Sequence, residues 1–338
     1  MIKRPQYRIA AGMAALSLFA AEEASAVDFD FYASMRFHAE AVSPDNDSAL
    51  ASYTGWRDAY SRLGFNANHR LNDSLTAYGK LELPLDLANK AVQSPSNHED
   101  DVRVAMVGVK GDFGDLSIGQ IWMPYYNAIV VPFDAFSSYY SGFTTYAAFR
   151  KTNSIAYYSP SFGGLSGAFG YSLENGNTKS NGDADNRLQA TLSYSLGDIT
   201  LAGGIDKLGG AYNSSILGSM VSWQATDALS IAAKYEQHNS DKVSGYGADG
   251  DTAMNLIAAY TLGKNTVRAT VAEVEGFGDS ILHLGWDHQY QDDLKFFVEY
   301  YSEEETAAIS EERGYEACTS CRGGSVAVAG LRFDFRAP

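Results

Sequence analysis

The chain predicts an all-β fold: a transmembrane antiparallel β-barrel of sixteen strands, with a long third external loop folded into the lumen. Three observations predict it. Apolar and polar residues alternate with period two over segments near the length of about 9–11 residues that crosses a bilayer when tilted. Tight turns and long polar loops take turns along the chain. One connection, residues 119–150, is too long and too aromatic to be an ordinary loop.

The first 26 residues stand apart from this pattern. Lys3, Arg4 and Arg8 open the chain, an apolar run covers 9–21, and Ala24-Ser25-Ala26 is a small-residue cleavage site. This reads as a secretory signal peptide over 1–26, its apolar run too short to span a membrane. Removing three bases and two acids leaves residues 27–338 about one unit more acidic than the formal −16 of the full chain. That acidity argues against nucleic acid, which requires clustered Lys and Arg. No other segment has the long apolar run of a membrane helix. With 22 Tyr, 17 Phe and 32 Gly, the composition suits a closed antiparallel barrel.

The strands follow in order. Over 28–41, Phe29, Phe31, Ala33, Met35, Phe37 and Ala39 alternate with Asp30, Tyr32, Ser34, Arg36, His38 and Glu40. The same alternation returns over 187–196, over 229–236 with Lys234 and Glu236 on the polar face, and over 294–300 with Lys295 and Glu299 opposing the apolar face. Seven turns rich in Gly, Asn, Asp or Pro fall near 72–73, 111–115, 161–164, 197–198, 226–227, 263–265 and 291–293. Eight longer connections lie between them, at 42–56, 86–100, 119–150, 174–186, 207–213, 239–251, 275–279 and 303–324. Fifteen connections join sixteen strands, and short turns on one side with long loops on the other are the mark of an outer-membrane barrel. A secreted sandwich or propeller also has many short strands, but no blade-length repeat is visible.

The insertion at 119–150 carries Pro124 and Pro132, which interrupt any ladder, and is dense in Tyr and Phe. It is expected to enter the lumen and set the width of a pore. Charges on the strands must face that lumen, because Arg or Lys on the lipid face at mid-bilayer costs about 2–4 kcal/mol. Arg36, Arg62, Lys80 and Arg103 each oppose apolar neighbours, and Asp134 is the clear carboxylate of the insertion. Trp122, Tyr125, Tyr126, Phe133 and Phe136 either pin the insertion to the wall or offer faces for sugar rings.

Several stretches carry a family resemblance. Residues 61–65 (SRLGF), 103–119 (RVAMVGVKGDFGDLSIG), 120–127 (QIWMPYYN), 153–164 (NSIAYYSPSFGG) and 330–335 (GLRFDF) are similar to the general bacterial porins, trimeric sixteen-stranded diffusion channels of Gram-negative outer membranes. They resemble, in turn, that family's second strand, its fourth and fifth strands, the approach to its constriction loop, the strand after that loop, and the closing strand. The resemblance implies a homotrimer in the outer membrane of a Gram-negative bacterium. It also implies a basic wall of Arg36, Arg62, Lys80 and Arg103 facing Asp134, a transverse field for polar solutes. The chain departs from the family at Gln120, where an arginine is usual, and at its end, where Arg336, Ala337 and Pro338 follow Phe335.

The expected function is an outer-membrane porin: a water-filled channel for passive diffusion of ions and small hydrophilic solutes, in contact with lipopolysaccharide and membrane lipids. Alternatives are a sugar-preferring porin that uses the aromatic insertion, or an outer-membrane enzyme, for which His38 with Ser34 is the one near pair. No cofactor is expected. Clustered acids (Glu99, Asp100 and Asp101; Asp183 and Asp185; Asp249 and Asp251; Glu303, Glu304, Glu305, Glu311, Glu312 and Glu316) suit divalent cations or plain solvation of external loops. Cys318 and Cys321 are expected to form a small disulfide in an external loop. The six histidines show no metal-ligand spacing.

Overall fold

A computed structural model describes residues 27–88, 102–174, 186–209, 213–240, 247–275, 278–304, 309 and 322–337. The expected signal peptide, Cys318, Cys321 and most of the acidic loop residues lie outside them.

Seventeen strand segments are present among these residues: β1 (Asp28–Pro44), β2 (Tyr53–Asp58), β3 (Ser61–Asn72), β4 (Leu75–Leu85), β5 (Val104–Gly111), β6 (Gly114–Trp122), β7 (Arg150–Tyr158), β8 (Leu165–Ser172), β9 (Arg187–Leu196), β10 (Ile199–Leu208), β11 (Ser214–Gln224), β12 (Leu229–Ser240), β13 (Thr252–Leu262), β14 (Asn265–Val274), β15 (Gly278–Gln291), β16 (Leu294–Glu303) and β17 (Gly324–Ala337). They make sixteen staves, because β2 and β3 are two pieces of one. β2 pairs with β1 from Phe37 opposite Asp58 to Val42 opposite Tyr53, and β3 pairs with β1 from Asp28 opposite Asn68 to Ser34 opposite Arg62. Each remaining stave pairs antiparallel with its sequence neighbour, and β17 returns to β1 from Phe31 opposite Ala337 to Pro44 opposite Gly324. The sheet is a closed barrel with no free edge, which removes the unpaired backbone that lipid would not tolerate.

The two faces of each stave differ as alternation requires. On β13, Met254, Leu256, Tyr260 and Leu262 are exposed while Asn255 and Ile257 are buried. On β12, Tyr235 is exposed between buried Lys234 and Glu236. Exposed aromatics gather near the short turns (Phe113, Phe162, Tyr194, Trp223, Tyr260 and Tyr290), the girdle expected at a membrane interface. All seven short turns fall where the sequence puts them.

The break between β2 and β3 is a local device. Tyr60 takes φ 64°, a left-handed conformation rare for a bulky residue, and Asp58 Oδ1 accepts the Ser61 amide at 2.7 Å. The Ser61 hydroxyl in turn accepts the Arg36 amide at 2.8 Å, filling the gap in the ladder to β1. The kink turns the Tyr60 ring onto Tyr139, stacked at 4.8 Å. At the chain end, Arg336 stays in the ladder and forks onto Asp30 at 2.9 and 3.0 Å, so the strand continues past Phe335.

Candidate functional site

Between Trp122 and Arg150 the chain leaves the ladder. Pro124 and Pro132 remove donors, and the segment winds through a π-helical turn (Tyr126–Val130) and a 3-10 turn (Val131–Phe133). Backbone amides outside the ladder must find partners of their own. They find side chains on the buried faces of six strands. Tyr125 N–H donates to Gln189 Oε1 on β9 at 2.7 Å, and Ala148 N–H to Asp206 Oδ2 on β10 at 3.2 Å. Tyr146 N–H donates to Glu236 Oε2 on β12 at 3.1 Å, and Thr144 N–H to Asn255 Oδ1 on β13 at 2.8 Å. Glu299 on β16 accepts both Ser137 N–H (2.8 Å) and Ser138 N–H (3.2 Å), and His38 on β1 accepts Tyr139 N–H at 3.3 Å.

The anchoring carboxylates are themselves held. Lys234 meets Glu236 at 2.7 Å, Arg187 meets Asp206 at 2.6 Å, and His283 meets Glu299 at 3.1 Å. Buried charges persist only when paired and fully bonded. Here the remaining acceptor capacity goes to the loop.

The apolar side of the segment docks on β10 to β13. Tyr125, Ile129, Val130 and Phe133 pack with Ala202, Ile216, Met220, Ala232 and Ile257 in one buried cluster. Gly218 makes room for it: a β-carbon built there stands 1.7 Å from Tyr125 Oη. Gly218→Val is therefore expected to leave the ladder intact and displace Tyr125. The check is backbone hydrogen exchange of residues 123–130, which should speed up by at least about ten-fold, the equivalent of about 1.4 kcal/mol.

The insertion aromatics are pinned rather than displayed. Tyr125, Tyr126, Phe133 and Phe136 are buried, Trp122 stacks on Tyr126 at 4.6 Å, and Phe136 lies flat on His283 at 3.5 Å. Four of the five rings are buried and the half-buried Trp122 has a face on Tyr126, which does not favour a sugar platform on these side chains. Burial first, and then the Asp134 carboxylate beside it, push the Tyr126 phenol up, so it remains a donor to Asp134 Oδ2 at 2.6 Å.

The charged residues expected to work together are only partly assembled as a basic wall. Arg62, Lys80 and Arg103 converge, but on a carboxylate: Glu82, at 3.8, 3.9 and 2.9 Å respectively. Tyr32 Oη donates to the same carboxylate at 2.7 Å. Arg36 does not join this carboxylate: its Nε donates to Ser34 Oγ at 2.9 Å. Gln120 does not extend this wall. Its amide donates to the carbonyls of Val102 (2.5 Å) and Arg103 (3.2 Å), closing the start of β5.

Glu82 is the residue missed in the sequence, although it shares the polar phase of Lys80. The anchors Gln189, Asp206, Asn255 and Glu299 were equally unassigned. The Ser34 and His38 pair does not form: Ser34 is held by Arg36 and His38 by Tyr139. This pair therefore does not place a nucleophile beside a base.

A closed sixteen-stave barrel with an apolar belt outside and charged, bonded side chains inside defines a membrane channel protein of the β-barrel class. Comparison with known proteins gives the family. The Gram-negative porin family model matches residues 10–308, and the chain belongs to that family. It is 25% identical over 95% of its length to the major outer membrane protein P.IB of Neisseria meningitidis serogroup B, covering 98% of that protein. It is 27% identical over 74% of its length to a monosaccharide porin of a Halomonas species, covering 73% of that protein. Among solved structures, the anion-selective porin of Comamonas acidovorans superposes with TM-score 0.69 at 19% identity, over 92% of this chain and 100% of that one. OmpF of Salmonella typhi, in complex with daunomycin, superposes with TM-score 0.68 at 17% identity, over 91% and 97%. The protein is an outer-membrane porin of a Gram-negative bacterium.

Proposed function

We propose that the segment between Trp122 and Arg150 lies in the lumen and forms the narrowest point of the channel. Ions and small hydrophilic solutes then pass between Asp134 on the loop and the Arg36, Arg62, Lys80 and Arg103 group on the wall, with Glu82 at its centre. Passage is passive, and the protein carries no reaction of its own. The working unit is a homotrimer whose outer loops meet lipopolysaccharide. The observation that carries this reading is the set of loop amides bonded to side chains on the buried faces of six strands, along the wall from β9 through β16 to β1. The covered aromatic faces give a sugar-preferring channel no support.

The test is the reversal potential of the purified protein in a planar bilayer under a salt gradient, with Asp134→Asn beside it. Losing one negative charge about 5–8 Å from the path shifts ion preference towards anions by a few-fold at low salt. Conductance that ignores Asp134 would move the narrow point elsewhere in the barrel.

A further inference from the structure

The loop segment 136–142 is gripped by two buried histidines. His283 lies under the Phe136 ring, and its Nε2 meets Glu299, which also holds the Ser137 and Ser138 amides. His38, 1% exposed, makes the bond of opposite polarity: its Nε2 accepts the Tyr139 N–H. An imidazole nitrogen accepts only when it carries no proton, so the His38 proton sits on Nδ1, which is buried without a partner. The bond therefore exists only while the ring is neutral.

We propose that His38 is an acid-released latch on the constriction loop, holding Tyr139 while neutral and releasing it when protonated. A second proton on the ring sets N–H against N–H and adds a charge to a site closed off from bulk solvent.

The groups facing His38 offer that charge no ready partner. From β1, Glu40 is bonded to Arg57 at 3.1 Å and to the Tyr140 hydroxyl at 3.1 Å. From β2, Arg57 is the register partner of His38 and is itself positive. From β16, Glu299 is committed to two loop amides and to His283 of β15, while Phe297 turns its ring edge to His38. From β17, Gly330 stands opposite in register and brings no titratable group. From the loop come the Tyr139 amide and the Tyr140 ring. Release of Tyr139 also loosens its ring from Tyr60 and from Arg57, which sits 4.9 Å above it.

The inference rests on reading this loop as the narrow point, so two readouts are needed. The first is hydrogen exchange of 136–142 in the folded barrel at pH 7 and pH 3.5, corrected for intrinsic rates, because a ring buried this deeply takes up its proton only in strong acid. Wild type should lose about ten-fold or more of its protection in acid. His38→Gln keeps an acceptor that does not titrate, and should match wild type at pH 7 and hold more of its protection at pH 3.5. Equal protection at both pH values in wild type, or an equal acid loss in His38→Gln, overturns the latch. The second readout is single-channel recording over the same pH range. Acid-induced substates that vanish in His38→Gln join the latch to the pore. A segment that opens in acid with unchanged conductance leaves the latch standing and removes the narrow-point reading.

Discussion

Glu236→Ala is expected to free the tip of the loop while leaving the barrel folded. The Glu236 carboxylate carries three partners: Lys234 at 2.7 Å, the Thr145 hydroxyl at 2.7 Å and the Tyr146 amide at 3.1 Å. Both side chains of the ion pair are fully buried. Removing the acid strands the Lys234 ammonium with the Thr144 carbonyl, and breaking such a pair costs about 3–5 kcal/mol. The remaining bonds of the tip, such as the Thr144 amide to Asn255 and the Tyr146 hydroxyl to the Thr252 and Glu275 carbonyls, supply about 1 kcal/mol each. This loss therefore removes a large share of its docking, and the tip opens far more often and exposes Lys234 to solvent. The ladder is untouched, since neither residue's backbone changes partner. Single-channel conductance should become larger or unsteady, and 141–149 should become open to protease. The double variant Lys234→Met with Glu236→Leu separates charge from packing, because apolar replacement of a whole buried pair is often neutral. It should regain the part of the docking that the stranded charge removes, but not the bonds of Thr145 and Tyr146 to Glu236. A Glu236→Ala channel with wild-type conductance and protease resistance would show that this anchor does not hold the loop.

The staves were legible because their signals are local. Alternation over 187–196 matches β9, and the alternating runs at 229–236 and 294–300 sit inside β12 and β16. The seven tight turns need Gly, Asn or Asp at fixed places, and those residues stand in the sequence. The kink at Tyr60 was not legible, since a tyrosine in a left-handed conformation has no composition signal; only the stave pairing and its Ser61 plug explain it. The docking wall was hidden for a different reason. Ile216, Met220 and Ile257 occupy the face that alternation assigns to water, because a separate segment covers it. The anchors depend on contacts far apart in the chain, such as Ser137 with Glu299, 162 residues away. Glu82 was within reach of the same alternation that selected Lys80. It lies two residues on, in phase, between Leu81 and Leu83. Its charge is opposite to that of the basic residues it joins, so a basic wall does not imply it.

That carboxylate sets up the other large effect, a change of ion preference in Glu82→Gln. Three cations share Glu82, with Lys80 also lying over the Tyr32 ring at 5.3 Å. The glutamine keeps the shape, and its amide oxygen still accepts from Tyr32, so the stave should remain in place. What disappears is one negative charge, leaving Arg62, Lys80 and Arg103 uncompensated. A unit charge about 7 Å from the ion path, at an effective dielectric constant of about 40, is worth roughly 1 kcal/mol. That corresponds to about five-fold for each ion in opposite directions, so the ratio of chloride to potassium permeability rises by up to about 25-fold before screening. Salt makes the test specific, because the screening length falls from about 10 Å at 0.1 M to about 3 Å at 1 M. The shift in reversal potential should be large in dilute salt and nearly vanish in concentrated salt. A shift that ignores salt would mean a change of pore shape instead of field. No shift even in dilute salt would mean that permeating ions do not pass near Glu82, and the assignment of this wall to the narrow point would fall with it.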